Sequence, residues 1–112
     1  AERCHRELPF SVGLPAREVY GPSPGGLDID ERTAGEIVLV QGVIDCLFED
    51  DRGLAIIDYK TDAVNGRNPA QLAERYRHQL TVYARAVEIS LGRIVTDGYL
   101  YFFDGALTVK VF

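Results

Sequence analysis

Methionine is absent from all 112 residues, the first included. The chain is therefore expected to be an excised piece of a longer polypeptide. Cysteine is scarce, with only Cys4 and Cys46. Two thiols cannot build a disulfide scaffold or a four-cysteine zinc or iron–sulfur site within this chain. Cys46 sits in an apolar run and is expected to be a buried free thiol, which suits a reducing cytoplasm. No run of 18 apolar residues occurs, so no membrane-spanning helix is expected. The opening Ala1-Glu2-Arg3-Cys4 lacks the basic-then-apolar pattern of a secretory signal. No internal repeat or low-complexity tract is present. The length allows one domain at most.

Basic charge is also in deficit, with 12 Lys and Arg against 17 Asp and Glu. The deficit is uneven. Residues 1–58 hold 12 acids and 5 bases, whereas residues 59–112 hold 5 acids and 7 bases. The total argues mildly against a nucleic-acid partner. Carboxylates that hold a metal, however, count against the total without facing a phosphate.

What is present is a pattern of strands around one helix. Arg6 to Leu14 alternates apolar residues at Leu8, Phe10, Val12 and Leu14, which predicts a half-buried strand. Pro9 places it at a sheet edge. Residues 15–35, with Gly21-Pro22-Ser23-Pro24-Gly25-Gly26, are expected to be a loop insertion. Glu36 to Phe48 and Leu54 to Ile57 are apolar runs rich in Val, Ile and Leu, the pattern of strands buried on both faces. Gly42 marks a bulge or a close approach. Asn68-Pro69-Ala70-Gln71 has the N-cap, first-turn proline and capping-box residue of a helix start. Apolar positions 72, 73, 76, 80, 83, 84, 87 and 91 keep helical period up to the stop at Gly92. Gly98 to Asp104 and Ala106 to Phe112 read as two strands joined at Asp104-Gly105. The expected fold is α/β: a mixed sheet of about five strands, with one long helix after the third.

The chemistry concentrates in Gln41-Gly42-Val43-Ile44-Asp45 and Ile56-Ile57-Asp58-Tyr59-Lys60. Asp50-Asp51-Arg52-Gly53 has hairpin composition. A four-residue loop there pairs Glu49 with Leu54, and the same register sets Asp45 opposite Asp58. Directly opposed Cβ atoms lie roughly 4.5–5.5 Å apart. Asp58 and Lys60 share a face, because alternate strand residues do. Two carboxylates that close repel unless a proton or a cation intervenes. Hard oxygen ligands suit Mg2+, with Mn2+ as an alternative. The backbone carbonyl of Tyr59 is a further candidate ligand. The competing reading is a buried acid pair satisfied by backbone amides or by Lys60 alone. From residue type alone, Glu7 reads as a solvated edge glutamate. Helical pattern makes Tyr83 a core residue and Gln79 a boundary residue on the same face.

Glu7-Leu-Pro-Phe10, Gln41-Gly-Val-Ile-Asp45, Ile57-Asp-Tyr-Lys-Thr-Asp62 and Gln79-Leu-Thr-Val-Tyr83, in this order, resemble the PD-(D/E)xK nuclease superfamily. The pattern is most similar to the C-terminal nuclease domain of AddA/RecB helicase–nuclease subunits. The resemblance implies a restriction-endonuclease-like core. It also implies Asp45 and Asp58 as metal ligands, Lys60 as the catalytic lysine and Glu7 as an upstream acidic site residue. Gln79 and Tyr83 correspond to a flanking motif that touches DNA or orients Lys60. The implied activity is metal-dependent exonucleolytic cleavage of DNA during processing of double-strand breaks. The implied partners are DNA, helicase domains of the same parent chain and a second helicase–nuclease subunit, in the bacterial cytoplasm. The family's metal-ligating histidine upstream of Glu7 is matched by neither His5 nor His78. The fragment alone is therefore expected to bind metal weakly. Two other classes remain open. One is an inactive DNA-binding or scaffolding domain with this fold. The other is an unrelated α/β binding module in which Lys60 is sealed from solvent.

Overall fold

A computed structural model describes residues 3–20, 35–61 and 64–112. Five strands form one sheet: β1 (Arg3–Pro15), β2 (Ile37–Asp50), β3 (Gly53–Lys60), β4 (Val95–Phe102) and β5 (Leu107–Lys110). Their spatial order follows the chain, from β1 to β5. β1, β2 and β3 pair antiparallel, β3 and β4 parallel, and β4 and β5 antiparallel. A parallel pair cannot be joined by a tight turn, so the chain crosses over between β3 and β4. The crossover carries α2 (Pro69–Leu91), whose ends match its sequence signals. Asn68 accepts from the Gln71 N–H, and the Gln71 side chain accepts from the Asn68 N–H. Gly92 ends the helix with φ of 68°, in the left-handed region.

The apolar side of α2 packs Leu72, Leu80, Ala84 and Val87 against Ile44, Leu47, Leu54, Ile56, Leu100 and Phe102 of the sheet. Leu91, expected in this stripe, is exposed, because it sits on the last turn of the helix. Val82 and Ala86 are buried instead.

Three expectations need correction. First, β2 is not buried on both faces. Ile37 and Leu39 are 68% and 63% exposed, and Val43 is also exposed. Among the described residues, α2 is the one long helix, and a helix covers one face of a sheet. Second, Ala16–Tyr20 is a short helix, α1, rather than loop. Ala16 is buried, its N–H donates to the Glu36 carbonyl, and Glu18 pairs with Arg85 of α2. These anchors hold five residues that contain neither Gly nor Pro in a turn of helix. The rest of the expected insertion, residues 21–34, lies outside the described residues. Third, the β2–β3 turn is tighter than four residues. Asp50 pairs with Gly53, which leaves Asp51 and Arg52 as the loop. The Asp50 carboxylate accepts from both the Arg52 and Gly53 N–H groups. Such aspartate turns mimic a backbone hydrogen bond.

Candidate active site

The Glu49↔Leu54 register is the one that the sequence predicts, and the ladder continues to Cys46↔Ile57. Asp45 and Asp58 come one step further. Regular pairing stops there because Asp45 Oδ2 accepts the Tyr59 N–H at 2.8 Å. Asp58 Oδ2 meets Lys60 Nζ at 2.8 Å. The Asp58 carboxyl is held above the usual carboxylate range. Burial is the largest cause and a hydrogen bond from Asp45 the next, with Lys60 acting in the opposite direction. So Asp45, Asp58 and Lys60 form one cluster.

A break in strand periodicity aims this cluster. Ile44 and Leu47 both lie in the core. Three residues apart, they would fall on opposite faces of a regular strand. On the neighbouring strand the ladder skips Glu7, between Arg6↔Cys46 and Leu8↔Ile44. Glu7 has φ of 52°, in the left-handed region. A non-glycine residue there costs on the order of 1–3 kcal/mol and often marks a functional site. The irregularity lies across from Asp45 and lets the alternation slip by one. Glu7 itself is exposed.

Gly42 gives the site its back wall. A Cβ on Gly42 would stand 2.8 Å from the Phe10 ring and 3.5 Å from the Tyr83 hydroxyl. Phe10 and Tyr83 use that space to pack edge to face, with centroids 5.1 Å apart. The close approach expected at Gly42 is thus to an aromatic side chain rather than to backbone. The same contact brings Glu7-Leu-Pro-Phe10, Gln41-Gly-Val-Ile-Asp45 and the Gln79–Tyr83 turn of α2 together. Gln79 Oε1 accepts from Lys60 Nζ at 2.9 Å, and Gln79 Nε2 reaches the Tyr83 hydroxyl at 3.5 Å. Tyr83 is half-buried against the core, and Gln79 is exposed.

Tyr76 joins the site as well, although helical pattern marks it only as a core position. Its ring centroid lies 4.4 Å from Lys60 Nζ. The available signal was its position three residues before Gln79, since that spacing shares a helix face. The Lys60 and Asp58 side chains are 14% and 13% exposed, so solvent reaches both. The sealed network of an unrelated binding module is not what forms here.

The donor set suits a hard divalent ion in kind. Two abutting carboxylates, one with a raised pKa, are what an inserted cation would relieve. It is not a complete cage. Among the described residues, no three His, Cys, Asp or Glu side chains converge on one point. Glu7 does not close the ring around Asp45 and Asp58. Asp62 lies outside the described residues.

On the other side of β2 from Asp45, Cys46 is a buried free thiol, as expected. Its Sγ lies 3.2 Å from Cys4 Sγ. Burial, then the Cys4 contact, pushes the Cys46 thiol up to about 11. The thiolate is the reactive form, so alkylation at pH ~8 should label exposed Cys4 and spare Cys46. Mass spectrometry should show one adduct on the native chain and two after unfolding.

Comparison with known proteins agrees with this geometry. Residues 2–108 match the PD-(D/E)XK nuclease superfamily. The chain is 46% identical over 110 residues to the AddA-type ATP-dependent helicase/nuclease of Moorella thermoacetica, covering 98% of this chain and 7% of that protein. It is 46% identical over 118 residues to the protein of the same name from Geobacillus thermodenitrificans, covering 99% of this chain and 9% of that protein. The Bacillus cereus AH820 protein of that name is 42% identical over 118 residues, with the same coverages. The chain thus spans less than a tenth of the length of these relatives. With its five-stranded mixed sheet, crossover helix and matched residues 2–108, the chain belongs to the PD-(D/E)XK nuclease superfamily.

Proposed function

We propose that the chain is the nuclease module of a longer helicase–nuclease and hydrolyses DNA phosphodiester bonds in a metal-dependent reaction. The observation that carries this reading is the meeting of Asp45, Asp58 and Lys60 where β2 and β3 part. Asp45 and Asp58 would hold the metal, with the Tyr59 carbonyl as a further oxygen. A bound Mg2+, or Mn2+, would polarise the scissile phosphate and lower the pKa of a coordinated water. Lys60 would present its ammonium group to that water or to the charge that develops on the phosphate. Gln79 holds Lys60 and, with Tyr83, lines the approach for the DNA strand. Glu7 supplies a carboxylate at the solvent edge. The names of the similar proteins support the helicase context. In that context the module would work exonucleolytically on double-strand ends, beside helicase domains of its own polypeptide and a second subunit, in the bacterial cytoplasm.

Metal removal is the direct test. The full polypeptide should degrade linear DNA with Mg2+ and stop when EDTA is added. Calorimetry should show Mg2+ or Mn2+ binding that is lost in Asp58→Ala. Cleavage that persists in EDTA would reject the metal-dependent reading. DNA binding without cleavage or metal uptake would instead mark a scaffolding domain.

A further inference from the structure

We propose that Tyr76 is the positioning residue for Lys60, holding its ammonium group against the ring face. The proposal rests on the hydrolytic reading above and deepens it. A lysine ammonium has three N–H donors and no acceptor. Two oxygens take two of these directions: Asp58 Oδ2 at 2.8 Å and Gln79 Oε1 at 2.9 Å. The Tyr76 ring stands near the same nitrogen, its centroid 4.4 Å away. That is inside the ~6 Å range in which the negative face of an aromatic ring attracts a cation. The attraction grows as water is removed, and Lys60 is mostly buried.

The ring is itself fixed. It packs on Phe102, which is fully buried, with centroids 6.0 Å apart. Tyr76 and Gln79 are one turn apart on α2, so a single rigid element approaches Lys60 with both contacts. The exposed Arg75 also lies over the Tyr76 ring, 5.6 Å from its centroid. The three contacts on Lys60 differ in kind. Asp58 is shared with whatever else binds its carboxylate. The ring contact does not depend on the state of that carboxylate. When the Asp58 oxygens are engaged elsewhere, Tyr76 and Gln79 are the contacts that keep Lys60 in place.

The test compares ring variants in the full polypeptide. Tyr76→Phe keeps the ring face and should retain wild-type kcat for DNA cleavage. Tyr76→Leu should lower kcat about 3- to 30-fold, the span of a cation–π contact, with KM for DNA unchanged. Phenylalanines carrying one, two and three ring fluorines at position 76 should lower kcat stepwise. Fluorine drains the ring face while barely changing its size. This series also covers the case in which Tyr76→Leu fails to fold. A second readout needs no cleavage. The Lys60 Hε protons should show an upfield ring-current shift that Tyr76→Phe keeps. A flat kcat across the fluorine series, or Hε shifts at ordinary lysine values, would overturn the proposal. A wild-type polypeptide that cleaves nothing while the ring-current shift is present would instead overturn the nuclease reading.

Discussion

Lys60→Ala and Asp58→Ala should each cut DNA degradation by the full polypeptide at least about 100-fold. Losing one preorganised donor aimed at developing charge typically costs about 10²–10³ in kcat. Here the two side chains are in direct contact, so removing either disturbs the other. Asp58→Ala takes away one of the two abutting carboxylates and the partner of the Lys60 ammonium. Lys60→Ala leaves both carboxylates without the nearby cation that offsets their repulsion. Losses in residues that act as a unit are far from additive. The double variant should therefore be little worse than the poorer single one. Nucleotide hydrolysis by the rest of the polypeptide provides the control and should not change. Cleavage at wild-type rates in both variants would remove these residues from the reaction.

Asp58→Asn should abolish cleavage and yet make the fold more stable at neutral pH. The sign follows from the raised Asp58 pKa. Burial and the Asp45 hydrogen bond favour the protonated form in the folded state. A carboxyl whose folded pKa lies above its unfolded value contributes most below the unfolded value, about 3.9 for Asp. That contribution is lost as pH rises through the folded value. At neutral pH the Asp58 charge therefore detracts from stability, partly offset by Lys60. Asparagine keeps the shape and an acceptor for Lys60 but cannot ionise. A gain on the order of 1 kcal/mol, or ~4 °C in Tm, is expected by thermal denaturation without added metal. The gap should close as pH falls below the unfolded carboxylate range. A less stable Asp58→Asn chain at pH ~7 would mean that the Lys60 pair outweighs the burial of the charge.

Sequence alone determined the element order and the β2–β3 register. The reason is local. Asp50 closes a short turn with its own side chain, and a hairpin register follows from its turn. The limits of α2 were equally local, written in Asn68, Pro69, Gln71 and Gly92. From these, the meeting of Asp45 with Asp58 and the shared face of Asp58 and Lys60 could be counted. Tertiary structure alone decided the parts that depend on what meets across the fold. The left-handed Glu7 and the slipped phase between Ile44 and Leu47 break the two-residue period that strand reading assumes. Nothing in those residue types announces the break. Apolar composition could not say that one face of β2 stays open, because coverage depends on which elements lie above it. Helical spacing put Tyr76 beside Gln79, but only the parallel crossover from β3 to β4 brings that face over Lys60. A contact between residues 60 and 76 is set by how helix and sheet pack, and packing is not a local property of the chain.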